Sequence, residues 1–191
     1  SLADTAPHPK FLRDIMAARR DKARMQLFTL NYDTLFEQAA ENLSATVIDG
    51  FAFARNPSFN GTNFDLDVVK REKNRIQHNE NYEEKVFQLY KLHGSLDWRK
   101  DDNSEKIVRV QDIADERDTI FIPPSVHKFE QSYDMPYFEM MSRFQQSLRR
   151  ENTTLIIIGY SFIDGHINRV IQEALNSNLN FELVVISPKI C

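Results

Sequence analysis

Apolar and polar residues follow two rhythms along this chain, and their order outlines a fold. Six short stretches are rich in apolar and β-branched residues: "QLFTL" (26–30), "ATVID" (45–49), "VFQLYKL" (86–92), "TIFIPPS" (119–125), "TLIIIGYS" (154–161) and "FELVVIS" (181–187). Each is bounded by turn-forming or strongly polar residues and reads as a strand. The two prolines after Ile122 stop the fourth. "TLIIIGYS" has the most continuous apolar run and reads as a strand buried on both faces. Helical spacing marks the segments between. "FLRDIMAARRDKAR" (11–24) is basic and amphipathic, and "TLFEQAAENL" (34–43) sets Leu35, Ala39 and Leu43 on one stripe. Tyr137, Met141, Phe144 and Leu148 mark a third helix, and "DGHINRVIQEAL" (164–175) a fourth, with Ile167, Val170, Ile171 and Leu175 on one face. Residues 50–66 lack a period and read as a loop. Residues 67–85 are strongly charged and read as a solvated helix, and "WRKDDNSEK" (98–106) as a polar excursion.

Strand and helix alternate; "VFQLYKL" alternates in polarity, and the other strands include continuous β-branched runs. That order predicts an α/β fold with a Rossmann-like, doubly wound parallel sheet and helices on both faces. The 191 residues suit one domain. With 41% hydrophobic residues and 14 phenylalanines the chain can bury a substantial core. A net charge of −4 gives no reason to expect nucleic-acid binding. No apolar run approaches the roughly 20 residues of a membrane span. The single cysteine, Cys191, excludes an internal disulfide and a cysteine-cluster zinc site, and it fits a reducing, cytoplasmic location. Neither a Gly-x-Gly-x-x-Gly nor a Walker-type loop is present.

Chemistry is expected where strands end, because open parallel sheets bind ligands beyond the carboxyl ends of their strands. Polar clusters stand at four such ends: Asn31-Tyr32-Asp33, His93-Gly94-Ser95, Gly159-Tyr160-Ser161, and Ser187-Pro188. Each also has an ordinary reading. Asp33 and Asp164 can cap the helices that follow them. A lone histidine after a strand is more often structural than catalytic, which applies to His93 and, more strongly, to His166 in a first helical turn. Gly159 can be a tight turn. Trp98 reads as a cover over the sheet end rather than a ligand-stacking ring.

The wording and order of the clusters add a further signal. "TLNYDTLFE" resembles the Asn-x-Asp segment of sirtuin-type NAD-binding domains, and "KLHGSLDW" the His-Gly segment that follows it. "IIIGYSFIDGHIN" resembles the Gly-x-Ser element, and "VVISP" the strand ending in Asn-Pro, with Ser187 in place of Asn. The resemblance covers roughly residues 26–188 and is nearest to the divergent bacterial sirtuin-like proteins, many of which act in antiphage defence. Two features depart from the family. Its glycine-rich phosphate loop has no counterpart before residue 26, so the resemblance implies a domain incomplete at its N-terminus, lacking the first βα unit and belonging to a longer chain. Its four-cysteine zinc module has no counterpart in residues 99–153.

The resemblance implies an NAD⁺ glycohydrolase that releases nicotinamide and ADP-ribose and serves as the effector domain of an antiphage NAD-depletion system. The leaving nicotinamide is already cationic, so this reaction needs no strong acid. It needs an oriented ribose and a nucleophile. Asn31 is implied to position the ribose and water, and His93 to take a proton, as a group with an ordinary pKa near about 6.5 can. Asp33 is implied to hold the carboxamide, Gly94 to admit the ligand, and Gly159, Ser161 and Ser187 to meet ribose or phosphate oxygens. NAD is then substrate, with no zinc or other metal. Self-association through an open sheet edge and a sensor or activator partner are expected. The alternative class is a catalytically silent module that binds NAD or ADP-ribose. A zinc-free deacylase or ADP-ribosyltransferase ranks below both.

Overall fold

The structure, a computed structural model, describes residues 7–18, 24–70, 81–110, 119–121 and 136–187. The chain divides into two compact units, Ser1–Ser125 and Val126–Cys191. Both are mixed α/β, with parallel strands and flanking helices.

In the first unit, α1 (Pro7–Ala18) leads to β1 (Met25–Thr29), α2 (Leu35–Asn42) and β2 (Thr46–Ile48). Helix α1 starts before the predicted position, since prolines are tolerated in a first helical turn. After a 3₁₀ turn (Gly61–Asp65) come β3 (Val69–Lys70), β4 (Asn81–Tyr82), β5 (Val86–Lys91), β6 (Gly94–Lys100), β7 (Ile107–Arg109) and β8 (Thr119–Phe121). Strand β5 lies between β1 and β2 and pairs with both in parallel. Its central place explains its composition, because side chains on both faces must be buried. Phe87 and Leu89 join Leu12 of α1 and Ala39 and Ala40 of α2 in one core cluster. On the other face Tyr90 is stacked between Phe28 (4.5 Å) and Phe64 (4.3 Å).

Two predicted elements of this unit change character. The charged segment after residue 67 holds the antiparallel pair β3–β4, not a helix, where it is described; residues 71–80 lie outside the described residues. Arg24 anchors this pair, donating to both carboxylate oxygens of Asp67 at 2.8 and 2.9 Å. The predicted polar excursion 98–106 is a strand end and a turn. Strand β6 runs from Gly94 through Trp98 to Lys100 and is flanked by β7 and β8, both antiparallel. The charged run that begins at Arg99 hid the strand's end, and Ser95 and Asp97 within the strand are buried in a polar network. Trp98 is buried against Phe51 and Phe59, at 5.3 and 6.3 Å, so it is a core residue.

The second unit runs α3 (Tyr137–Leu148), β9 (Thr154–Ile158), α4 (Gly165–Ser177) and β10 (Glu182–Ile186), with β9 and β10 paired in parallel. Helix α4 buries Ile167, Ile171 and Ala174, while Leu175 points outward, a correction to the predicted stripe. Strand β9 forms where predicted, but only Ile157 is buried; Ile156 and Ile158 are exposed, with β10 as its paired neighbour. No described helix is long and apolar enough to cross a membrane.

Candidate functional site

Parallel pairing of β1 with β5, in register from Met25↔Phe87 to Thr29↔Lys91, sets the carboxyl ends of these strands side by side. The segments that follow them, 31–34 and 92–95, are therefore neighbours. Backbone bonds fasten them: Leu92 N–H donates to the Thr29 carbonyl and Leu96 N–H to the Tyr32 carbonyl, each at 2.9 Å. Asn31, Asp33, His93 and Gly94 thus belong to one corner of the first unit.

Asn31 is exposed, with its N–H donating to Thr29 Oγ1 at 3.1 Å. Asp33 is half-buried. Its Oδ1 accepts from Leu35 N–H at 3.0 Å, so the helix-start role expected of an Asp after a strand is present here. His93 lies in the two-residue turn between β5 and β6 and is only 5% exposed, so it is enclosed rather than standing at an open edge. Gly94 follows with φ +84°, a conformation that side chains resist, and this lets β6 leave the turn at once.

Beneath the corner lies a buried chain of charges that the sequence reading did not single out. Lys91 Nζ donates to Glu37 Oε1 at 2.9 Å, to Ser95 Oγ at 2.6 Å, and to the Asp33 carbonyl. Ser95 Oγ donates in turn to Asp97 Oδ1. Asp97 Oδ2 faces Arg109 Nε at 3.5 Å, and Arg109 also pairs with Asp49 at the end of β2. The Arg109 guanidinium rests on the Phe51 ring, 4.5 Å from its centre. Burial holds the Glu37 carboxyl above its ordinary range, against the pull of Lys91; Glu37 Oε2 is buried without a hydrogen-bond partner among the described residues. Burial likewise pushes Asp49 up, against the pull of Arg109.

In the second unit the residues after β9 and β10 are neighbours for the same reason, and Gly159 N–H donates to the Ile186 carbonyl at 3.2 Å. Gly159 has φ +67°, and a Cβ there would meet nothing within 4 Å. Ser161 and Ser187 are exposed beside it in sequence and in strand order. The loop 159–164 is held from within. Tyr160 donates its hydroxyl to Asn168 Oδ1 at 2.9 Å, and Asn168 Nδ2 donates to the Phe162 carbonyl at 2.7 Å. Burial pushes the Tyr160 hydroxyl up to about 12, so it stays a donor. Phe162 takes φ +57°, an unusual conformation for a side-chain-bearing residue. Asp164 precedes α4 without a side-chain cap bond.

Gly94 and Gly159 are thus the two candidate residues whose backbone demands explain the residue type outright. The missed members, Lys91, Glu37, Asp97 and Arg109, carried one faint signal. Lys91 has the same strand parity as Phe87 and Leu89, so a lysine stood where the pattern of a buried face called for an apolar residue.

The sequence model of the SIR2-like domain family matches residues 26–188. No curated protein matches the chain.

Proposed function

The chain belongs to the SIR2-like domain family, a family of generally NAD-dependent enzymes, and from that membership we propose that it is an NAD⁺ glycohydrolase. The observation that carries this reading is the corner built by β1 and β5, where Asn31, Asp33, His93 and Gly94 meet in one unit. The exposed Asn31 amide offers both a donor and an acceptor to a ribose and a water. His93, enclosed beside it in the fold, suits proton transfer sheltered from bulk solvent. In the reaction, the bond between ribose C1′ and the nicotinamide nitrogen breaks and its electron pair leaves with nicotinamide. A water oxygen bonds to C1′ and its proton passes to His93. Asp33 receives the carboxamide and Gly94 gives the ligand room. In the second unit, the resemblance assigns Gly159, Ser161 and Ser187 to ribose or phosphate oxygens, and the exposed serines and the open space over the Gly159 Cα support that assignment.

The single cysteine, Cys191, supports a zinc-free enzyme without the deacylase's module. The wording of residues 156–168 supports a role as an antiphage effector that depletes NAD when a sensor partner triggers it; a cytoplasmic location, from the single cysteine, and self-association of a Rossmann-like domain belong to the same proposal. Incubation of the protein with NAD followed by chromatography tests the reaction, with nicotinamide and ADP-ribose expected in equal amounts. Tight binding of NAD with no product would instead assign a silent binding module.

A further inference from the structure

We propose that Lys91 is a positioning residue: its ammonium ties the Asn31–Asp33 segment to the His93–Gly94 corner and so holds the two candidate catalytic side chains in register. The inference rests on the NAD-cleaving reading of this corner for its catalytic consequence, and on geometry alone for the tie itself.

Lys91 is 2% exposed, on the face of β5 that Phe87 and Leu89 continue into the core. A buried ammonium loses several kcal/mol of hydration that its partners must offset, so a lysine here is costly where leucine would pack. Its three N–H donors are all used, on three separate pieces of chain: the Asp33 carbonyl after β1, Glu37 Oε1 in α2, and Ser95 Oγ in β6. None is left for a substrate, which separates Lys91 from a catalytic residue. The bonded carbonyl is two residues after Asn31, and Lys91 itself is two residues before His93. Ser95 extends the tie by donating to Asp97, which Arg109 faces in turn. The ammonium's own donors are all satisfied, and a buried group bonded on every side favours one geometry where apolar packing tolerates several. A displacement near 1 Å in a reacting group can cost on the order of 10²-fold in rate.

The test uses the whole chain, with hydrogen exchange and NAD turnover measured together. Lys91→Met alone leaves Glu37 buried without its cation and is at risk of not folding. The double variant Lys91→Met/Glu37→Gln removes both charges at nearly constant shape, which is close to neutral for folding. In the variant that folds, the amides of Leu35 and Leu96, which are bonded to Asp33 Oδ1 and the Tyr32 carbonyl, should exchange faster, while amides of 25–29 and 86–90 keep their protection. The kcat for nicotinamide release should fall by about 10–100-fold with little change in KM, as expected for misplaced catalytic groups. Unchanged exchange at Leu35 and Leu96 would overturn the tie. Uniformly faster exchange through the sheet would reduce Lys91 to a stability residue. Local loosening with kcat unchanged would remove its role in positioning. Local loosening in a protein whose wild type releases no nicotinamide would leave the tie standing and remove the NAD-cleaving reading and the catalytic role together.

Discussion

Asn31 and His93 are given parallel roles by their motifs, but their surroundings make them different experiments. Asn31 is exposed, so Asn31→Ala should change stability by no more than about 0.5 kcal/mol, as surface substitutions usually do. Its loss of nicotinamide release then reports chemistry directly. His93 is buried, so His93→Ala combines lost catalysis with lost packing. Removal of a general base lowers kcat by about 10²–10⁴-fold. That loss should persist in assays run well below the thermal midpoints of both proteins. If the activity of His93→Ala returned on cooling in step with its folded fraction, His93 would be a core histidine and no base.

At the scale of elements, helix α2 and strand β5 are joined by an ion pair whose pH dependence has a definite sign. Glu37 has its carboxyl raised above the ordinary range, chiefly by burial. The folded state therefore holds this proton more tightly than the unfolded chain. The stability linked to it is fully present below the ordinary glutamate range and is lost as pH rises through the raised folded value. Glu37→Gln mimics the protonated form, so it should gain stability relative to wild type as pH rises through that window. Urea unfolding of both proteins from pH 4 to pH 8 measures the difference. A variant that instead lost ground steadily toward pH 8 would show that the Lys91 attraction outweighs burial, and the direction given for Glu37 would be wrong.

For the whole molecule, the question is whether metal holds any of it together. One cysteine in 191 residues cannot supply a cysteine-cluster zinc site. The expected result is a thermal midpoint that does not move after exhaustive chelation, and no stoichiometric zinc on metal analysis. Structural zinc contributes folding energy directly, so a midpoint that fell on chelation would reveal a zinc site and restore deacylation as a candidate reaction.

The sequence by itself determined the strands and helices that local rhythm controls. Strand β5 was legible because its residues alternate at the period of a strand, and α3 because its apolar side repeats at helical spacing. One glycine in each unit was legible for a related reason: Gly94 and Gly159 serve backbone conformations that few other residues adopt. Pairing was not legible. Strand β6 was missed because its end, Trp98–Lys100, leads into a polar run and Ser95 read as part of a strand-end cluster; the partners Lys91 and Arg109 are what make Ser95 and Asp97 buriable. The short pair β3–β4 was missed because charge composition reports exposure, not backbone pairing. Exposure itself also waited on the fold. Ile156 and Ile158 read as core residues and stand exposed, while His93 read as a site residue at an open strand end and is enclosed. Local sequence sets which backbone shape is cheap. Which side chains lose water depends on what packs against them, and that is a property of the tertiary structure alone.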